Sequence, residues 1–169
     1  TAEATAPTAV PPDPPSATAS AKPDPLDVIA GKWRSESGTD FDAVRVGDAV
    51  EFRIASAKQL EPSDYRDGEA RFILRANGDG TFKVEDKIRP QPPLGSAFDP
   101  KSRGTCQEVW TEVDGKPLTA TYDGSRVAVA FAKIAPKASN FIHDGSVITG
   151  CTGLSRVAAS TGRTVLTRP

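Results

Sequence analysis

Apolar and polar residues alternate along much of this chain. Val50, Phe52 and Ile54 oppose Glu51 and Arg53. Phe72, Leu74 and Ala76 oppose Arg71 and Arg75, with Ile73 breaking the alternation. Phe82 and Val84 oppose Thr81, Lys83, Glu85 and Lys87. Side chains of a strand point to opposite faces in turn, so period two marks half-buried antiparallel strands. The pattern predicts strands over 32–36, 43–46, 49–55, 70–76, 81–88, 106–113, 118–122, 126–134 and 141–149, with one or two more within 155–168. Only Pro25–Ala30 reads as a helical turn, with Pro25 after Asp24 at the first helical position. Asp-Gly dipeptides at 67–68, 79–80, 114–115, 123–124 and 144–145 punctuate the runs. This pair suits tight turns that require positive φ.

These elements imply an all-β fold, an antiparallel meander of about eight to ten strands. Closing it wholly or partly into a barrel removes the exposed edges of an open sheet. A sandwich is the other packing. Strand 126–134 is apolar on both faces, with Val127, Val129 and Phe131 on one and Ala128, Ala130 and Ala132 on the other. Such a strand is covered on both sides, and the alanine side leaves room for a Trp, a helix or a ligand. Two stretches fall outside the ladder. Residues 57–69 are polar around Tyr65, and residues 90–104 hold four prolines and Phe98. Connectors of that length often carry function.

Composition divides the chain. Residues 1–25 hold 7 Pro, 7 Ala, 4 Thr and 2 Ser, with no Gly and no aromatic. Such a segment cannot bury apolar surface, so it reads as a disordered, semi-stiff tether ahead of one domain at 26–169. The formal net charge is −1 and no basic patch is visible, so nucleic acid is not an expected partner. No apolar stretch reaches the length of ~18 residues expected of a spanning helix. Cys106 and Cys151 sit in no metal-ligand pattern, and no metal or cofactor is expected. They read as one disulfide or as two separate buried thiols. As a disulfide they would close a loop worth roughly 4 kcal/mol of chain entropy and place the domain in an oxidising compartment.

Two resemblances add to this reading. The tail resembles the spacer after the lipidated cysteine of bacterial lipoproteins. That implies a periplasmic or cell-surface domain, on the outer membrane if a lipid anchor precedes it, with secretion as the alternative. The run Leu26-Asp27-Val28-Ile29-Ala30-Gly31-Lys32-Trp33 resembles the start of calycins, the lipocalin and avidin group of barrels. Those begin with a short helical turn and a Gly-x-Trp entering the first strand. The resemblance gives Trp33 the role of closing one barrel end, under a cation from Arg156, Arg163 or Arg168. The lipocalin Thr-Asp-Tyr motif and the biotin-stacking tryptophans of avidins are absent, so no ligand carries over.

Candidate chemistry is sparse. His143 precedes an Asp-Gly turn, and no Gly-x-Ser-x-Gly elbow accompanies it. Glu108, Trp110 and Glu112 share a face of strand 106–113, which suggests a sugar- or cation-binding surface. The two carboxylates would lie about 13 Å apart along a strand, wide for a concerted acid and base. Asn77-Gly78-Asp79-Gly80 looks like part of a calcium loop, but Arg75 stands where the first ligand belongs. The leading expectation is a monomeric, non-enzymatic envelope domain. It holds a small apolar ligand in the barrel, with Trp110, Glu108, Tyr65 and Phe98 as contacts. The alternative is a protein-binding module, such as a periplasmic inhibitor or immunity protein. It would act through loops 57–69 and 90–104, with Tyr65 and Phe98 as anchors. A hydrolase built on Glu108 or His143 is a third reading.

Overall fold

The alternating runs close on themselves. The computed structural model describes residues 1–169 apart from 3, 17, 18, 62, 135–139 and 154–158. A short helix, α1 (Pro25–Ile29), precedes β1 (Gly31–Ser35), β2 (Asp40–Val46), β3 (Ala49–Ile54), β4 (Ala70–Ala76) and β5 (Thr81–Ile88). There follow β6 (Ala97–Phe98), β7 (Glu108–Trp110), β8 (Glu112–Val113), β9 (Lys116–Pro117) and β10 (Thr119–Tyr122). The chain ends with β11 (Arg126–Lys133), β12 (Phe141–Asp144), β13 (Val147–Cys151) and β14 (Ser160–Thr167). Eight of these form a closed antiparallel barrel in the order β1-β2-β3-β4-β5-β10-β11-β14, with β14 returning to β1. The described residues of 1–24 are exposed and form no helix or strand.

The two ends of the barrel differ. At one end Asp24 caps α1 by accepting the Leu26 amide at 2.9 Å. Helix α1 then buries Leu26 and Ile29. Trp33 donates from Nε1 to the Ile29 carbonyl at 2.8 Å. The Arg168 guanidinium lies 4.1 Å from the Trp33 ring and donates to the carbonyls of Ala30 (3.0 Å) and Val28 (2.8 Å). Of the three arginines that could cover Trp33, Arg168 does so; Arg156 lies outside the described residues. Gly31 permits the closure. Its φ is +121°, and a Cβ there would sit 2.5 Å from Arg168 Nη1.

The middle of the barrel is filled with side chains. Phe52, Leu74, Phe82, Val84, Val127 and Val129 are all fully buried there. The barrel therefore encloses a packed core rather than a ligand-sized chamber, and a cavity opens at its other end.

That other end carries the chain's long excursions. The meander leaves the barrel after β5 and again after β11, and both departures are at the end opposite Trp33. The two insertions meet. Strand β13 pairs with β12 from its own insertion and, in parallel, with β6 from the other. The Cys106–Cys151 disulfide joins the same two insertions, with Cα atoms 5.2 Å apart. Cys106, Phe141 and Ile148 form a second small core there, with Phe98 packed against it.

Three expectations need correction. The run 106–113 is not one strand. Residues 103–106 form a 3-10 turn, and β7 is then separated from β10 by the β8–β9 hairpin. Asp114 and Gly115 turn that hairpin with φ of +51° and +71°, as a mirror-image two-residue turn requires. The run 141–149 divides into β12 and β13 around Asp144-Gly145. The stretch 90–104 is not featureless, since it contains β6 and the start of the 3-10 turn.

The closed end yields a direct test. Replacing Arg168 with Ala should lower stability by about 1–2 kcal/mol in urea unfolding, through lost carbonyl bonds and the cation–π contact. Arg163→Ala should change it by less than about 0.5 kcal/mol. Equal losses would contradict the assignment of Arg168.

Candidate functional site at the barrel mouth

The open end is organised by a break in the wall. Strand β10 pairs with β11 only as far as Val129. Above that point β11 keeps β14 on one side and, among the described residues, has no strand on the other. Strand β5 likewise turns its upper edge, Asp86–Ile88, to β7. A seam therefore runs between β5 and the top of β11. Asp86 stands in it. The inward positions of β5 are Phe82, Val84, Asp86 and Ile88, so the pleat aims this carboxylate into the barrel. Asp86 is fully buried, and its Oδ2 accepts the Ala132 amide at 2.8 Å. That amide would otherwise be a buried donor without a ladder partner, which costs as much as a lost hydrogen bond.

The second partner of Asp86 arrives through a β-bulge. In the β3–β4 ladder Phe52 pairs with Phe72 and Arg53 with Ala70, which leaves Arg71 as the extra residue. Alternation places Arg71 on the outer face with Arg75. The bulge instead re-aims it into the barrel mouth, as bulges do. Arg71 Nη1 lies 2.8 Å from Asp86 Oδ1, a close ionic contact outside hydrogen-bond alignment. The same nitrogen donates to the Tyr65 hydroxyl at 2.8 Å and to the Lys87 carbonyl at 3.0 Å. Tyr65 in turn donates to the Lys87 carbonyl at 2.7 Å and accepts the Arg89 amide at 3.2 Å. The guanidinium is 5.1 Å from the centre of the Phe72 ring. Burial pushes Asp86 up to about 6, against the opposing pull of Arg71 and the Ala132 amide. Burial likewise raises the Tyr65 phenol above its usual range.

Above this pair the barrel mouth opens into a two-lobed cavity. The larger lobe, about 660 Å3, lies between the barrel rim, the Pro90–Leu94 segment and Phe141. The smaller, about 350 Å3, is walled by Phe41, Phe72 and the Ser35–Thr39 turn. Leu60, Arg71 and Phe131 line both lobes. Phe131 occupies its position because Gly162 lies opposite it in the ladder; a Cβ there would strike the ring.

The walls of the mouth are tied together. Arg103 donates from Nη1 and Nη2 to Glu69 Oε1 (2.6 Å) and Oε2 (2.7 Å), and from Nη2 to the Asp64 carbonyl (2.6 Å). Arg89 Nη1 donates to the Arg103 carbonyl at 3.0 Å. Burial works to raise the Glu69 carboxyl, yet the Arg103 hydrogen bond and neighbouring cations hold it below its usual range. Loops 57–69 and 90–104, the two stretches outside the strand pattern, are thus clamped to one another.

Of the residues expected to bind, Tyr65 lies on the cavity and braces Arg71. Trp110 and Glu108 do not line either lobe. Both sit on β7, where Trp110 Nε1 donates to Glu108 Oε2 at 2.9 Å and the ring packs on the main core. Glu112 belongs to the separate β8–β9 hairpin, so the two carboxylates share no strand. Phe98 is not a free anchor; its ring packs 5.9 Å from Phe141 beside the disulfide. His143 is exposed on β12, and Asp79 is occupied by the Thr81 amide and hydroxyl of its own turn. The sequence reading passed over Asp86, Arg71, Phe131 and Leu60. Asp86 carries a legible signal, an acid in phase with Phe82 and Val84. Arg71 carries none, because the bulge inverts its face.

No family model, curated protein or solved structure matches this chain.

The buried carboxylate sets a pH dependence. Unfolded, Asp86 titrates at ~3.9, and folded at about 6. Between those values the folded state binds more protons, so this group adds stability as pH falls from ~7 towards ~4. The gain should be on the order of 2–3 kcal/mol, and Asp86→Asn should remove it. Thermal unfolding of both proteins across that window is the check. Parallel pH profiles would contradict the assignment.

Proposed function

We propose that this is a non-enzymatic binding domain that holds a small amphipathic ligand at the mouth of its barrel. The observation that carries the reading is the pair of lobes meeting at Leu60, Arg71 and Phe131. Their volumes suit a small molecule. Apolar walls with a few placed polar groups are the usual make-up of such sites, and the mouth of a barrel is a usual location. The walls are held by the disulfide and the Arg103 clamp before any ligand arrives, which reduces the ordering cost of binding. Asp86 and the Nη1 group of Arg71 are committed to bracing the wall, which supports a binding role over a catalytic one. The disulfide favours an oxidising compartment, the periplasm or cell surface. The Gly31-Lys32-Trp33 start under Arg168 supports a calycin-like relationship.

A protein partner is the second reading. Leu94 stands fully exposed on the cavity rim, and Ile142 and Val147 are about half exposed on the β12–β13 hairpin.

A polarity-sensitive naphthalene sulfonate dye separates the two readings. Wild type should give saturable fluorescence at one site. Leu60→Asp sets a charge where the lobes meet, outside the barrel strands. It should weaken the dye at least about tenfold, the effect of some 1.4 kcal/mol. Equal binding to both proteins, or none to wild type, would overturn the small-molecule reading.

A further inference from the structure

The mouth holds a cation with an unused recognition edge. Arg71 spends Nη1 alone on the fold: Tyr65 Oη, the Lys87 carbonyl and Asp86 Oδ1 all converge on it. Its Nε and Nη2 make no hydrogen bond among the described residues, and the side chain lines both lobes. Those two nitrogens form the side-on fork of a guanidinium, with two parallel N–H groups in one plane. The fork is used elsewhere in this chain. Arg34 takes both oxygens of Asp40 this way, from Nε at 2.7 Å and from Nη2 at 3.1 Å.

We propose that the ligand is a monocarboxylate with an apolar body, its carboxylate taken side-on by Nε and Nη2 of Arg71. The inference rests on the barrel mouth being a ligand site. The planar two-oxygen head matches the fork. The phenyl rings of Phe41, Phe72 and Phe131 give the body an apolar wall in the smaller lobe.

Charge around the cavity fits a monoanion. Arg71, Arg89, Lys133 and Arg163 line it, against one lining acid, Glu36. Asp86 and Glu69 neutralise Arg71 and Arg89 from behind. Lys133 and Arg163 have no acidic partner among the described residues. Among the described residues this balance leaves a single positive charge to be met. The fork itself takes two oxygens of a carboxylate or of a phosphate, so the charge decides: a doubly charged phosphate head would exceed it. The anchoring of Nη1 also holds the fork in place before a ligand arrives, so little side-chain entropy is lost on binding.

The test is displacement of the naphthalene sulfonate dye from the full chain by decanoate, decanol and decyl phosphate. Decanoate should bind at least about tenfold more tightly than decanol, the scale of a charge-assisted bidentate contact. Decyl phosphate should be weaker than decanoate. Arg71→Lys keeps the positive charge and removes the fork, and should bring the decanoate-to-decanol ratio close to one. If that variant does not fold, the wild-type ratios decide the matter unaided. Decanol binding as tightly as decanoate would overturn the carboxylate assignment while leaving the mouth as a ligand site. Decyl phosphate binding most tightly would overturn the choice of head group. Failure of the dye and all three amphiphiles to bind would remove the site itself.

Discussion

The bond from the Ala132 amide to Asp86, with Arg71 behind it, is the constraint on which the open half of this barrel depends. A closed barrel needs every wall amide paired, and here one strand is broken by the β8–β9 hairpin. Above the break, β5 and β11 face each other with no strand bond between them. Asp86 spans that seam with one oxygen and holds the bulged Arg71 with the other. Removing the carboxylate would strand a buried amide and leave Arg71 with an uncompensated charge. Breaking such a pair costs more than the pair itself contributes. The raised position of Asp86 on the pH scale marks what this arrangement costs: burial works against its charge, and two partners offset only part of that.

The rest of the architecture separates two tasks. Helix α1, Trp33 and Arg168 seal one end, and a packed row of aromatic and branched side chains fills the middle. The other end is built from excursions that stand outside the barrel ladder, with the small β6–β13–β12 sheet among them. They are joined by different means: a disulfide between the two insertions, and the Arg103 clamp between the loops on either side of the larger lobe. Such polar and covalent ties hold a rim in place without filling it, so volume remains at the mouth. That location differs from a ligand enclosed within the barrel, and it follows from how fully the core is packed.

Much of the barrel was legible in the alternation. The runs at 49–55, 70–76 and 81–88 fold as expected strands, and the helical turn before Trp33 forms where Asp24-Pro25 starts it. The same period-two logic places Asp86 indoors, once the face of Phe82 and Val84 is extended by one more step. Other features could not be read this way. A bulge adds one residue to one strand and reverses every inference about the residue it adds, which is why Arg71 was assigned to the outer face. The spacing of Glu108, Trp110 and Glu112 is that of one strand, but the chain bends at Thr111 and carries Glu112 into the separate β8–β9 hairpin. Tyr65 was legible as an aromatic in a polar loop, but its task of bracing Arg71 depends on a partner brought in by the bulge. The pairing of loops 57–69 and 90–104 rests on Arg103, which is distant in sequence from Asp64 and Glu69.

The seam itself can be observed directly. Native-state hydrogen exchange, resolved by residue in NMR spectra at neutral pH, reports whether the Ala132 amide is bonded. A carboxylate that closes the wall protects this amide to the level of the Val127 and Val129 ladder, although no strand lies beside it. Exchange at the rate of an exposed loop amide, with Val127 and Val129 still protected, would contradict the account.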